Sequence, residues 1–236
     1  MYKIRTKVRY SECGEDGVMR LSSIINAFQD SSSEHSESLG LGVDYLRGKK
    51  RAWILNSWQI VIERYPRAHD EIEISTWPIG FNGVFGPRNF CMKTVEGEML
   101  AYANTLWVYM DIEKKMPVKP SDDEKQRYGT EPPLEMEYAS RKIKLPQEAR
   151  EVDTLMVRKY HIDTNSHMNN CHYVQMAMEA IPEEFCVKQV RVEYKKSAVY
   201  GDKIVIKIAK EEERIVVELR DENGELYALV EVKGEK

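Results

Sequence analysis

An α+β fold made of two tandem copies of one unit is what this chain predicts, and three observations carry the prediction. Each half opens with a polar turn followed by one helix-like segment. Each then runs into several strand-like segments punctuated by Pro, Gly and Asn. A charged, proline-bearing stretch at 112–152, without sustained periodicity, lies between the two patterns and reads as a connector.

In chain order, residues 3–10 ("KIRTKVRY") alternate as a strand does. After "SECGEDG" the apolar period changes: Leu21, Ile24, Ile25 and Phe28 recur at helical spacing, and Gly40 supplies a stop. The runs "AWILNSWQIVIERYP", "EIEISTWPIGFN", "RNFCMKTVEG" and "EMLAYANTLWVYMD" are rich in β-branched and aromatic residues and read as four strands. Beyond the connector, "LMVRKYHI" is strand-like and "MNNCHYVQMAMEAIP" helical, with Met168, Cys171, Val174 and Met178 on one face and Pro182 closing it. Strands follow in "VKQVRVEYKKSAV", "KIVIKIAKEE", "RIVVELRDENG" and "ELYALVEVKG".

The halves align. Setting Tyr10 over Tyr160 puts Cys13, Glu15 and Gly17 on Asp163, Asn165 and His167, and Phe28 on Met178. Further on, Asp70 falls on Asp202 and Ile72 on Ile204. A lone helix beside consecutive antiparallel strands must bury its apolar face on that sheet. Two such units pair by joining sheet edges, which hides unpaired strand backbone. That is the tandem, or double, hot dog architecture, with units expected at 1–125 and 152–236 and a linker at 126–151.

The 236 residues suffice for two small cores, and 42% hydrophobic with 31% charged residues is a globular composition. The N-terminus "MYKIRTKVRYSECG" has no apolar stretch of signal-peptide length and no segment reaches a membrane span, so a cytoplasmic, membrane-free protein is expected. Four dispersed cysteines without a CxxC pair argue for reduced thiols. A net charge of -4 supplies no footprint for nucleic acid.

The chemistry concentrates in "HIDTNSHMNNCHY" (161–173). Asp163, Asn165 and His167 are spaced i, i+2, i+4, so in an extended segment they project to one side. Asn169 and Asn170 open the helix, whose first N–H groups and dipole suit a developing oxyanion, with His167 at or just before its first position. A polar cluster here also serves as an N-cap. The first half is the control: it needs a cap too, yet lacks the Asp, Asn and His. His161, His167, Cys171 and His172 form no ligand set, because Cys171 and His172 diverge on a helix and no distant pair completes four, so no metal is expected. Met19, Ile24, Ile25, Phe28, Trp53, Trp58 and Trp77 could line an apolar tunnel, but the simpler reading, as core, comes first because such residues are mostly buried.

"DTNSHMNNCHYVQMAMEAIP" resembles the D-x-N-x-H-[VM]-N-N-x-x-Y signature of acyl-ACP thioesterases. "LGLGVDYLRGKKRAWILNSWQIVIERYP", "ISTWPIGFNGVFGPRNF" and "ANTLWVYMDIEKKMPVKP" resemble the N-terminal pattern of that family. The resemblance implies hydrolysis of a fatty acyl-ACP thioester without a cofactor, with acyl carrier protein as partner. It also implies Asp163, Asn165 and His167 as the catalytic group: Asp163 as base or nucleophile, Asn165 orienting water or substrate, His167 moving a proton. In plant members a glutamate and a cysteine stand where this chain has Ser197 and Ala198, so a cysteine nucleophile at that place is absent. An acyl-CoA thioesterase and a non-catalytic acyl-chain binder are the alternatives. Lysines 195 and 196, or 114 and 115, are candidates for carrier docking, and a homodimer of the two-unit chain stays open.

Overall fold

Strand β1 (Tyr2–Lys7) alternates half-buried and exposed residues along its length, as a strand with one covered face does. In the computed structural model, which describes residues 1–235, it is followed by a 3-10 turn at Tyr10–Glu12 and then by α1 (Leu21–Ser38). The predicted stripe is the buried one: Leu21, Ile24, Ile25 and Phe28, continued by Ser31 and His35. The Phe28 ring packs 5.3 Å from Phe90 on a strand below, and burying a Phe contributes roughly 1.5–3 kcal/mol. The helix stops where Gly40 takes φ of +65°, a left-handed conformation that glycine adopts without a Cβ clash.

A short helix, α2 (Val43–Gly48), precedes β2 (Arg51–Ile62), β3 (Glu71–Pro78), β4 (Phe85–Thr94) and β5 (Met99–Asp111). Two small elements lie in the stretch expected to be a plain connector: β6 (Met116–Pro117), paired with β5, and α3 (Asp122–Tyr128). Ser121 and Glu124 cap α3 reciprocally, the Ser121 Oγ accepting the Glu124 N–H at 3.2 Å and Glu124 Oε2 the Ser121 N–H at 2.6 Å.

The chain divides into two units, Met1–Asn56 with Ile62–Tyr138, and Ser57–Val61 with Ala139–Lys236. The first carries the antiparallel order β1-β3-β4-β5-β2, with Ile4 opposite Ile74 and Ile74 opposite Met92. The second contains β7 (Arg150–Met156), a 3-10 turn at Lys159–His161, α4 (Asn170–Met178), β8 (Cys186–Tyr194), β9 (Lys203–Lys210), β10 (Ile215–Arg220) and β11 (Leu226–Glu235). Its order is β8-β11-β10-β9-β7, with Ser57–Val61 paired antiparallel to β8. Ile204, Ile206 and Ile208 face inward at period two, and β10 is buried from Ile215 to Leu219. α4 seats Cys171, Tyr173, Val174 and Ala177 against this sheet. Each unit thus sets one principal helix, α1 or α4, on an antiparallel sheet, the double hot dog arrangement, with the short α2 and α3 added in the first. Expectation and structure part at β7, which ends at Met156 rather than running through "VRKYHI"; residues 159–161 form the 3-10 turn instead.

Candidate active site

Backbone hydrogen bonds fix the turn before α4. The Asp163 N–H donates to the His167 carbonyl at 2.8 Å, the Ser166 N–H to the Asp163 carbonyl at 3.1 Å, and Ile162 and Met168 form a bridge outside them. Ser166 takes φ of +63° to close it. The segment is therefore a closed turn and not an extended one, so the expected i, i+2, i+4 projection gives way to a hairpin-like placement. Asp163 and His167 stand opposite each other, with Asn165 near the tip.

Asp163 anchors the turn from inside: its Oδ1 accepts the Asn165 N–H at 2.8 Å and the His167 N–H at 3.3 Å. Asn165 and His167 are exposed, and among the described residues their side chains make no hydrogen bond. Asn169 is the N-cap, its Oδ1 accepting the Cys171 N–H at 2.9 Å, and α4 begins at Asn170. His167 accordingly lies two residues before the cap, not at the first helical position. The cap occupies the Asn169 carbonyl oxygen and leaves its Nδ2 hydrogens, while among the described residues the Asn170 N–H has no acceptor.

A neighbour that spacing alone does not reveal completes the turn. The Met168 N–H donates to the Ala198 carbonyl at 2.8 Å, and the Ala198 N–H donates to Tyr173 Oη, also at 2.8 Å. Tyr173, the last residue of the signature, is buried and 5.6 Å from the Tyr194 ring; burial first, against the Ala198 hydrogen bond, pushes its phenol up to about 12. Its task is to tie the segment holding Ser197 and Ala198 to the turn. Ala198 is fully buried and Ser197 exposed beside it.

His161 and His172 are engaged elsewhere. His161 Nδ1 accepts the Arg158 N–H at 3.0 Å, its ring lies 4.8 Å from that of His172, and burial, with His172 and Arg158 nearby, lowers its pKa. Cys171 is buried within α4. Among the described residues no three His, Cys, Asp or Glu side chains gather as a metal site would need. Lys195 is paired with Glu193 at 2.5 Å, and Lys196 with Asp221 at 2.9 Å and Glu225 at 3.0 Å, so these two expected docking charges are balanced within the unit.

The repeat itself is registered one residue away from the alignment on Tyr10 and Tyr160. The 3-10 turns pair Tyr10–Glu12 with Lys159–His161, and the caps Arg20 and Asn169 coincide. Bond for bond, Gly14 N–H to Val18 carbonyl (2.8 Å) repeats Asp163 to His167, and Met19 N–H to Pro66 carbonyl (2.8 Å) repeats Met168 to Ala198. Gly14, Asp16 and Val18 therefore stand where the second unit has Asp163, Asn165 and His167. Phe28 stands over Ala177 rather than Met178. The two tyrosines mislead because both are exposed, where no packing pins the register. The later pairing of Asp70 with Asp202 holds, since their carbonyls accept the Val8 and Val157 N–H groups alike.

Residues 1–128 match the family model of the acyl-ACP thioesterase N-terminal domain, and residues 144–235 that of its C-terminal domain. The chain belongs to the acyl-ACP thioesterase family. An oleoyl-acyl carrier protein thioesterase of Arabidopsis thaliana, named as chloroplastic, is 30% identical over 200 residues, covering 78% of this chain and 55% of its own length. An acyl-[acyl-carrier-protein] hydrolase of Cuphea viscosissima is 26% identical over 94% of this chain and 59% of its own length. The chain thus spans a little over half of these two plant relatives. Among solved structures, an acyl-ACP thioesterase from Bacteroides thetaiotaomicron superposes with a TM-score of 0.89 at 20% identity, covering 99% of this chain and 97% of the other. The 12:0-ACP thioesterase of Umbellularia californica does so with 0.87 at 18% identity, over 99% and 96%. The fold of this acyl-ACP thioesterase family member is theirs. No helix among its described residues is long and apolar enough to cross a membrane.

Proposed function

We propose that this chain hydrolyses the thioester between a fatty acyl chain and acyl carrier protein, releasing the free fatty acid and ending its elongation. The observation that carries this reading is the turn at 163–167, which sets a carboxylate opposite a histidine and leaves Asn165 and His167 exposed with no structural work.

Among the described residues Asp163 Oδ2 accepts no hydrogen bond while Oδ1 holds the turn, so one oxygen is positioned and the other is available. That oxygen either takes a proton from water as water adds to the thioester carbon, or attacks the carbon itself to give an acyl-aspartyl anhydride that water then hydrolyses to the free acid and the regenerated Asp163 carboxylate. Negative charge then develops on the carbonyl oxygen, where the Asn170 N–H and Asn169 Nδ2 at the start of α4 are the donors on offer. As the C–S bond breaks, His167 delivers a proton to the departing thiolate. Asn165 orients the water or the substrate carbonyl. No step calls for a cofactor.

Release of free thiol from acyl-ACP and from acyl-CoA of one chain length tests the reading, with wild type, Asp163→Asn and His167→Ala. Wild type is expected to turn over acyl-ACP, and each variant to lose about 10² or more in rate, the usual contribution of a positioned acid or base. A preference above about tenfold for CoA, a 1.4 kcal/mol difference, would overturn the choice of substrate. Equal background rates in all three proteins would overturn hydrolysis in favour of acyl-chain binding.

A further inference from the structure

The two units tie their polar turns to the loop before β3 or β9 differently. In the first unit two backbone bonds hold the turn at 14–18 to the loop at 65–70. The Met19 N–H donates to the Pro66 carbonyl at 2.8 Å and the Ala68 N–H to the Gly17 carbonyl at 2.9 Å, which makes Val18 and Arg67 an antiparallel bridge. In the second unit the Met168 N–H to Ala198 carbonyl bond repeats the first of these, and the other has no counterpart. Ser166 stands where Gly17 does and Tyr200 where Ala68 does. Yet among the described residues the Ser166 carbonyl accepts nothing and the Tyr200 N–H donates to nothing.

The loop itself is the same in both. The Asp70 N–H donates to the Arg67 carbonyl and the Asp202 N–H to the Val199 carbonyl, both at 3.1 Å, while the two carboxylates accept the Arg67 and Val199 N–H groups in return. His69 at φ of +73° and Gly201 at +92° hold the third place, and neither Ala68 nor Tyr200 before them has a positive φ, so each loop is a type II turn. The missing bond is therefore a difference in how loop and turn meet, not in either one. A pair of segments that closes in one copy and stands open in the other offers an acceptor and a donor to a chain laid between them, as an unpaired sheet edge does. A secondary amide carries both partners, an N–H for Ser166 and a carbonyl for Tyr200. Ser166 lies between Asn165 and His167, so an amide held there leaves a thioester within their reach only if sulfur and amide are a few bonds apart. Cysteamine, the end of the pantetheine arm that bears the thioester, has that short spacing.

We propose that the gap between Ser166 and Tyr200 binds the amide of the thiol arm nearest the thioester, its N–H on the Ser166 carbonyl and its oxygen on the Tyr200 N–H. This contact rests on the hydrolytic reading and adds to it the part of the thiol that is recognised. The open bond is then a substrate contact in the unit whose turn carries Asp163, Asn165 and His167, and the closed one a fold contact in the unit whose turn does not.

Initial rates with three thioesters of one acyl chain test it: octanoyl-N-acetylcysteamine, its analogue methylated on the amide nitrogen, and octanoyl-2-mercaptoethanol, which has no amide. In wild type kcat/KM for the first is expected to exceed that for either of the others at least fivefold. Tyr200→Pro removes the N–H at a place where a type II turn accepts Pro, and is expected to bring the three within twofold. Tyr200→Ala keeps the N–H and is expected to keep a preference of at least fivefold. A wild-type preference below fivefold overturns the proposal even if Tyr200→Pro fails to fold. A preference above twofold in a folded Tyr200→Pro overturns it too, as does one below fivefold in Tyr200→Ala, which would assign recognition to the ring. Octanoyl-ACP is run beside them: its hydrolysis without an amide preference among the small thioesters overturns this contact alone, whereas no hydrolysis of any thioester overturns the hydrolytic reading and the contact with it.

Discussion

The turns Gly14–Val18 and Asp163–His167 share a backbone frame and differ in what hangs from it. Both close with an N–H to carbonyl bond of 2.8 Å and pass through a left-handed residue, Gly17 or Ser166. Both also take a carboxylate as internal acceptor, from different places. In the first unit Asp16 accepts the Val18 N–H at 2.9 Å, and in the second Asp163 accepts those of Asn165 and His167. A turn of this shape therefore needs one acid, supplied from either position, and has no need of an exposed histidine and amide. Folding accounts for Asp16; it leaves Asn165 and His167 over.

The largest effect should come from breaking that asymmetry chemically. Asp163→Asn keeps an oxygen able to accept the two N–H groups, so the turn survives while the charge is lost. Thioester hydrolysis should fall by about 10² to 10⁴, with stability changed by less than about 1 kcal/mol. Asp16→Asn, the matched change in the other unit, should leave the rate within about twofold, since its turn carries no amide and histidine beside the acid and the change bears on stability alone. Steady-state rates and urea unfolding of both variants check the pair. A comparable rate loss in Asp16→Asn would mean that the two turns do not divide as described.

A second, smaller contrast lies one step along the chain, at the helix caps. Asn169 caps α4 through its side chain, whereas Arg20, its counterpart before α1, makes no side-chain cap. Asn169→Ala should cost about 1 kcal/mol, or about 2–4 °C in Tm for a chain of this size. Arg20→Ala should stay within about 0.5 kcal/mol. If the rate of Asn169→Ala also drops by about 10², its Nδ2 serves the carbonyl as well as its Oδ1 serves the helix.

Much of this frame was legible in the sequence, for reasons that particular elements make plain. The α1 stripe and the strands β2 to β5 and β8 to β11 are largely buried, β10 and much of β11 on both faces, and burial writes itself into apolar runs and spacing. β7 does not: every residue but Leu155 is exposed, and it is held by backbone pairing to β9, which leaves no pattern in side chains. α3 announced itself through Ser121 and Glu124, a capping signal in a stretch read only for its prolines and charge. Asp163, Asn165 and His167 stood out by composition and by the family resemblance. Their closed geometry did not, because it depends on a left-handed serine that the sequence does not mark. The burial of Arg88 and His35 leaves no mark in the sequence, since a buried arginine or histidine is written like an exposed one.

The smallest expected effect is also the one that separates fold from function most finely. Ser166 holds φ of +63° where the first unit uses Gly17 at +73°. An L residue pays about 1 kcal/mol or more in that region, and glycine gives back part of this through the entropy of its unfolded chain, about 0.5–1 kcal/mol. Ser166→Gly should therefore stabilise the protein by only about 0.5 kcal/mol, and Gly17→Ser should destabilise it by about 1 kcal/mol. The signs are opposite although the frame is the same. Catalysis should move against stability at one site only: freeing the backbone between Asn165 and His167 lets both side chains wander, so Ser166→Gly should lower the hydrolytic rate several-fold, about 1 kcal/mol in the barrier. Gly17→Ser should leave that rate unchanged. Urea midpoints and initial rates on one set of preparations measure all four quantities. An unchanged rate in Ser166→Gly would make the serine a tolerated strain, and a lowered one would make it the residue that holds the reactive turn still.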